Sequence, residues 1–329
     1  MTRILSYNIL VGGKRRVDQL TKLMSSAHPD IIGLVEATSR QTVEDMADRL
    51  GMQYRMSGSY THGDDWQTAL LSRLPIVETH VYKRSDRLTH PLFEACIEEE
   101  DGRKLTVFVT HLAAAFNQGR GGDSIRRREV QEILRIMKPK RGTPHLLMGD
   151  FNAIAPGDRL KASMLMRYLG VMDAQRRQNL DASFGHPHMN FVVPGPLRFL
   201  NPLLRVIPSN KVLSALFDWA GSLYAPRGSI SMLRKAGYID CFRCINPKDP
   251  GFTCPAASLA GRIDYIFASP ELAERLSACY VVAEGNGLRG DEASDHLPVV
   301  ADFGESVEVV ERPVHGLTTH RPVDLIDNT

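Results

Sequence analysis

Five apolar runs in this chain adjoin polar residues that a protein interior rejects, and a sixth does so more weakly. Asn8 follows Ile4-Leu5, Glu36 follows Ile31 to Val35, and His111 follows Val107-Phe108-Val109. Asp150 and Asn152 follow Leu146 to Met148, and Asp295 and His296 precede Leu297 to Val300. The weaker case is Asp264, between Ile263 and Tyr265. Burying one such group unpaired costs roughly 2–7 kcal/mol, and a charge costs more. Taken singly, a strand-end glutamate reads as a solvated loop start and Asp-x-Asn as a turn or cap. Repetition along one chain is better explained by strand ends that converge on a polar cleft.

Such a cleft has a definable chemistry. Asn8 and Glu36 offer hard oxygen donors, suited to Mg²⁺ or Mn²⁺ and not to zinc. A metal held there polarises a phosphoryl oxygen and offsets leaving-group charge. His111 and His296 can transfer protons near neutral pH. Asp295 is adjacent to His296, but neighbours on a strand point apart, so their direct pairing needs a bent loop. His296 is therefore read as a general base on water, oriented by a carboxylate such as Asp264 or Asp295. Ser294 is read as a turn or cleft-orienting residue, with water as the nucleophile.

The elements that must carry these residues alternate in period. Arg3 to Leu10 reads as a strand, Val17 to Met24 as a helix ended by Pro29, and Asp30 to Glu36 as a buried strand. Ala69 to Ser72, Phe93 to Glu98 and Lys104 to His111 are further strands, with Gly102 placed for a hairpin turn. Arg126 to Met137 is helical, and His145 to Asp150, Ile263 to Phe267 and Leu297 to Phe303 are strands. Alternating strands and helices with some hairpin spacings predict two mixed sheets packed face to face with helices outside. Residues 156–230 are rich in Pro, Gly and bulky apolar side chains and read as an inserted cap with short helices near 158–169 and 210–224. The organisation expected is a single domain over 1–304 and a C-terminal tail over 305–329.

Of 329 residues, 43% are apolar and 24% charged, the mix of a soluble globular protein with ample core. A net charge of +2 permits a polyanionic partner without demanding one. No run is long and apolar enough for a spanning helix, and the start lacks the pattern of a signal peptide. Five cysteines, an odd number, fit reduced thiols, so a cytoplasmic location is expected.

Together these residues resemble the endonuclease/exonuclease/phosphatase superfamily, which includes pancreatic-type deoxyribonuclease, exonuclease III-type repair enzymes and neutral sphingomyelinases. The resemblance rests on Ser6-Tyr7-Asn8-Ile9, Leu34-Val35-Glu36, Leu70 to Ile76, Thr110-His111-Leu112, Gly149-Asp150-Phe151-Asn152-Ala153, Arg262 to Ile266 and Ser294 to Val299. It implies a four-layered α/β sandwich. It further implies Glu36 as the main metal ligand, helped by Asn8, with Asp295 a metal ligand or a structural support. Asp150 and Asn152 would position the attacking water and the phosphate. His111 would contact phosphate or act as general acid, and His296 would be the base, oriented by Asp264. Arg128 and Gln131 fit the family's Arg-x-x-Gln, which makes Arg128 a substrate contact. Val35 departs from the family's usual Gln, but the ligand after it is kept.

The substrate is less legible. The leading reading is a nuclease acting on DNA or RNA, and the alternative is a sphingomyelinase-like phospholipid phosphodiesterase or a small-molecule phosphatase. A non-catalytic module would have lost a ligand or the base, and none is lost. The stretch before Ile263-Asp264 lacks the aromatics of abasic-site enzymes. In the 156–230 segment, Phe191, Phe199 and Leu203 alternate with Arg198, Arg205 and Lys211. Such a cap can contact single-stranded nucleic acid, touch membrane lipid, or pack its apolar residues on the sandwich. His186-x-His188 reads as solvated and Cys241-x-x-Cys244 as structural thiols. No protein partner can be inferred.

Overall fold

Apolar runs, most of them buried on both faces, build two six-stranded mixed sheets in the computed structural model, which describes residues 1–13, 15–58, 67–114, 120–168 and 206–304. The first sheet contains β1 (Thr2–Asn8), β2 (Ile31–Val35), β3 (Gln53–Met56), β4 (Thr68–Ser72), β11 (Leu276–Val281) and β14 (Val299–Phe303). They lie in the order β11-β14-β1-β2-β4-β3, with β1 parallel to β2 and antiparallel to β14. The second contains β5 (Ile76–Tyr82), β6 (Leu92–Glu98), β7 (Lys104–His111), β8 (His145–Asp150), β9 (Ile239–Asp240) and β10 (Asp264–Ala268). Its order is β5-β6-β7-β8-β10-β9, with β7 parallel to β8 and β10 antiparallel to β8. Glu284–Gly285 and Leu288–Arg289 form a small separate hairpin.

Three apolar layers hold the sandwich together. Ile4, Ile31, Val107, Val109, Leu146, Met148 and Ile266 meet between the sheets. Their odd or even neighbours face outward. Leu5 and Tyr7 pack under α1 (Val17–Ser26) and α2 (Arg40–Leu50), against Leu20, Leu23, Val43 and Met46. Phe108, Leu147 and Phe267 pack under α3 (Arg120–Met137), against Val130 and Ile133, and under the helix Gly228–Lys235, against Ile230 and Leu233. Each fully buried aliphatic or aromatic side chain contributes about 1.5–3 kcal/mol. The result is the expected helix, sheet, sheet, helix stacking.

Local signals explain where elements stop. Ser39 caps α2 by accepting from the Thr42 amide, and Gly51 ends it in the left-handed conformation. Gly102, at φ 80°, turns the chain between β6 and β7 as its position predicts. Gly149, at φ 141°, lies where β8 approaches β7 so closely that a Cβ would run into the Thr110 carbonyl. The glycine before Asp150 is thus required by close strand approach. Strand β11 had no clear signal, since Leu276-Ser277-Ala278-Cys279 alternates weakly. Within the 156–230 segment the structure describes a short helix at 162–168 and the helix Lys211–Tyr224. Phe191, Phe199, Leu203, Arg198, Arg205, His186 and His188 lie outside the described residues, as does 305–329.

Candidate active site

Strand parity brings the polar strand ends together. Asn8 shares the face of Ile4, His111 that of Val107 and Val109, Asp150 that of Leu146 and Met148, and Asp264 that of Ile266. All four therefore point into the gap between the sheets. Registers put them at one end of it: His111 and Asp264 both pair with Asp150, Asn8 with Val35, and Ser6 with Val299. Glu36 follows β2 with φ 61°, and Asn152 follows β8 with φ 48°. Left-handed backbone at non-glycine residues is strained and concentrates at functional sites.

The side chains form one buried network. The Asn8 amide donates to Glu36 Oε1 at 3.0 Å and to Asp150 Oδ2 at 3.1 Å. Its own oxygen accepts from the Leu10 amide at 3.0 Å, so Asn8 bridges the carboxylates as a donor. Glu36 Oε2 accepts from the Val11 amide at 2.7 Å. The Asn152 amide N–H donates to Asp150 Oδ1 at 2.8 Å, and its side chain donates to the Leu112 carbonyl at 2.9 Å. His296 Nδ1 lies 2.9 Å from Asp264 Oδ2, while its Nε2 lies 3.8 Å from Asp150 Oδ2 and 4.0 Å from Asp295 Oδ1. Asp264 is thus the carboxylate that orients His296, and Asp295 sits on the other side of the ring. Ser294 Oγ donates to the Asn8 carbonyl at 2.8 Å and accepts from the His296 amide at 3.3 Å, so this serine shapes the turn.

Electrostatics in this cleft are dominated by buried carboxylates. Burial, reinforced by the charge of Asp264, pushes Asp150 up to about 7. Burial lowers the His296 pKa, but Asp264, Asp295 and Asp150 outweigh it and leave it well above the ordinary value. Burial pushes the Cys254 thiol, which adjoins His296, up to about 12. Atoms of Asp150, Asp264 and His296 lie within 4.8 Å of one another, close enough to share a metal ion. With Glu36 and Asp295 alongside, the donors are hard and the charge is in excess of its neutralisation. Both features fit a divalent cation.

Several supporting residues escaped sequence reading. His90 stacks on His111 at 4.5 Å between ring centroids, and its Nδ1 lies 3.0 Å from the His111 carbonyl. Burial, with Arg84's charge, pushes His90 down to about 4, which keeps it neutral. Glu129 accepts from the Thr89 and Ala113 amides at 3.0 Å, and Arg126 donates to the Ala113 carbonyl at 2.9 Å. The arginine and partner that α3 turns inward are thus Arg126 and Glu129. Arg128 and Gln131 are exposed, and the structure does not bring Arg128 into the cluster. The buried residues 126, 129, 130, 133 and 137 share one helical face. A helical-face count on Arg126 could have found this pair. Arg16 is buried and donates to the Ile9, Leu10 and Ala293 carbonyls, fixing the turn that presents the Val11 amide to Glu36. The cysteines are all free; Cys241 is buried, with its thiol pushed up by burial, whereas Cys244 is exposed.

Solved structures with this fold include an AP endonuclease from Archaeoglobus fulgidus, 18% identical over 92% of this chain and 99% of that one, with a TM-score of 0.60. A 3' phosphatase from Neisseria, NExo, bound to product DNA hairpin is 18% identical over 93% and 100%, with a TM-score of 0.57. A mannosyl-6-phosphatase from Bacteroides thetaiotaomicron is 17% identical over 92% and 99%, with a TM-score of 0.56. No curated protein matches the sequence. Residues 5–296 match the Endonuclease/Exonuclease/phosphatase family from the first inward strand to the histidine of the closing tripeptide. The chain belongs to that family and is a phosphoester hydrolase.

Proposed function

We propose that the chain hydrolyses phosphodiester bonds of nucleic acid, DNA or RNA, by attack of a water whose proton passes to His296. The observation that carries this reading is the His296–Asp264 pair, which leaves Nε2 turned toward Asp150 and Asp295. Asp264 fixes the tautomer and stabilises the imidazolium that forms. In this reading Asp150 and Asn152 orient the water and a phosphoryl oxygen, and His111, whose Nε2 lies 3.7 Å from Asp150 Oδ2, contacts phosphate or donates a proton. Glu36, joined to Asp150 through the Asn8 side-chain amide, would be the main holder of the cation, with Asp295 a further ligand or a structural support, while Asp264 and His296, which cluster with Asp150, serve the proton transfer. When bound, Mg²⁺ or Mn²⁺ supplies Lewis-acid polarisation of the phosphoryl group and offsets leaving-group charge. His296 must be neutral to accept a proton, so turnover requires that the cleft's negative field be offset.

Nucleic acid is favoured because one protein of this fold is named an AP endonuclease and another is bound to product DNA hairpin. The mannosyl-6-phosphatase makes a small phosphomonoester the competing reading. A panel of DNA, RNA, sugar phosphates, sphingomyelin and a chromogenic phosphodiester, each with Mg²⁺ or Mn²⁺, separates them. Cleavage of DNA or RNA, abolished by Asn152→Ala, is expected. Intact nucleic acid alongside turnover of a phosphomonoester or lipid overturns the nuclease reading and keeps the hydrolase.

A further inference from the structure

The helix Lys211–Tyr224 is amphipathic in the wrong sense for a free surface. Its polar and small residues face the protein. Asp218 accepts from the Ser163 amide at 2.7 Å, and Ser222 exchanges hydrogen bonds with the Leu160 backbone. Gly221 lies so close to Ala162 that a Cβ would touch it. Opposite these, Val212, Leu216, Trp219 and Leu223 recur at i, i+4, i+7 and i+11, one narrow stripe at the helical repeat. All four are exposed, Trp219 to 66% and Leu223 to 70%, and no residue of the helix is buried. An aligned apolar stripe of this kind marks an interaction site.

Charge identifies what covers it. In the described parts of the 156–230 segment the exposed charged residues are Arg159, Lys161, Arg167 and Lys211, all cationic. The acids there are withdrawn: Asp218 is bonded inward, and Asp158 is buried against Arg262 and Arg243. Trp219 and Tyr224 are the residue types that settle at the headgroup level of a bilayer. A stable protein interface takes about 20–30 residues a side, far more than this stripe supplies, whereas a helix lying in a lipid interface needs only its apolar face and nearby cations.

We infer that the helix Lys211–Tyr224 seats the enzyme on an anionic lipid surface, with Val212, Leu216 and Leu223 inserted among the acyl chains and Trp219 at the headgroup boundary. This is independent of which phosphoester the active site cleaves. The full chain is tested by flotation with phosphatidylcholine vesicles, with and without phosphatidylglycerol. In a Trp66→Phe background Trp219 is the sole tryptophan, so its emission reports the stripe directly.

Binding to the phosphatidylglycerol vesicles is expected, with a blue shift of Trp219 and weakening by salt. Leu216→Glu and Leu223→Glu should each lower partitioning about tenfold or more, since each removes a buried leucine side chain from lipid. Both sites are exposed, so unchanged thermal unfolding confirms that the variants fold. Failure of the wild type to bind phosphatidylglycerol vesicles overturns the inference. So does binding that survives both substitutions. A concentration-dependent dimer abolished by Leu216→Glu, without vesicle binding, would assign the stripe to a second copy instead.

Discussion

Replacing His296 with alanine is expected to lower kcat by about 10²–10⁴-fold, the ordinary contribution of a positioned general base, with little change in KM. The side chain is buried among Asp264, Asp150, Asp295 and Cys254, so its Nε2 has no function in packing that another residue could assume. Asp264→Asn separates the base role from mere structure. Asparagine can still accept from Nδ1 but carries no charge, and Asp264 is the largest influence raising the His296 pKa. A base must be unprotonated to act, so activity falls as pH drops through its pKa. Removing the charge lowers that pKa, and the acid limb of kcat/KM should move to lower pH while the maximal rate falls. A limb that stays in place, or a His296→Ala enzyme with undiminished kcat, would show that another group takes the proton.

Breaking the buried ion network at Arg262 should cost about 3–5 kcal/mol of stability, the range for a buried charge deprived of its partner. Arg262 is buried and donates to Asp158 Oδ2 at 2.8 Å and, through both terminal nitrogens, to Asp240 at 2.8 and 2.6 Å. Its guanidinium also stacks over Tyr265 at 4.4 Å and Phe242 at 5.4 Å. Arg262→Met strands two buried carboxylates, although Arg243 still pairs with Asp158. Arg262→Lys keeps the charge but loses the planar fork and should fall between. Urea unfolding at fixed pH and salt measures both. Arg262 lies two residues before Asp264, and the Tyr265 hydroxyl donates to the Arg262 carbonyl at 2.8 Å. A loss below about 1 kcal/mol would mean that the site relaxes around the unpaired carboxylates.

What was legible in the sequence follows from what a period can encode. Apolar runs place β1, β2, β7, β8 and β10, and strand parity carries Asn8, His111, Asp150 and Asp264 to the gap between the sheets. Apolar runs interrupted by charge are visible without a fold. Partners distant in sequence are not. Nothing local in Thr89-His90-Pro91 announces that His90 will stack on His111, and Asp158, Asp240 and Arg262 meet only once three separate segments are packed. Motif spacing points to Arg128, yet the phase of α3 buries Arg126 and leaves Arg128 exposed. Asn8 was read as an oxygen donor, whereas the fold ties its oxygen to the Leu10 amide and turns its NH₂ to the carboxylates. The helix Lys211–Tyr224 was anticipated, but its direction was not, since a sequence cannot say whether an apolar stripe faces core or solvent.

Buried carboxylates around Glu36 and Asp150 make phosphoester hydrolysis depend on a divalent cation. The most direct measurement is turnover of the best substrate in chelator, followed by titration of Mg²⁺ or Mn²⁺, for the wild type and Glu36→Gln. No turnover in chelator is expected, with full recovery on adding the metal and a Glu36→Gln enzyme that needs far more metal or fails to recover. Turnover that persists in chelator and is unaffected by Glu36→Gln would contradict it.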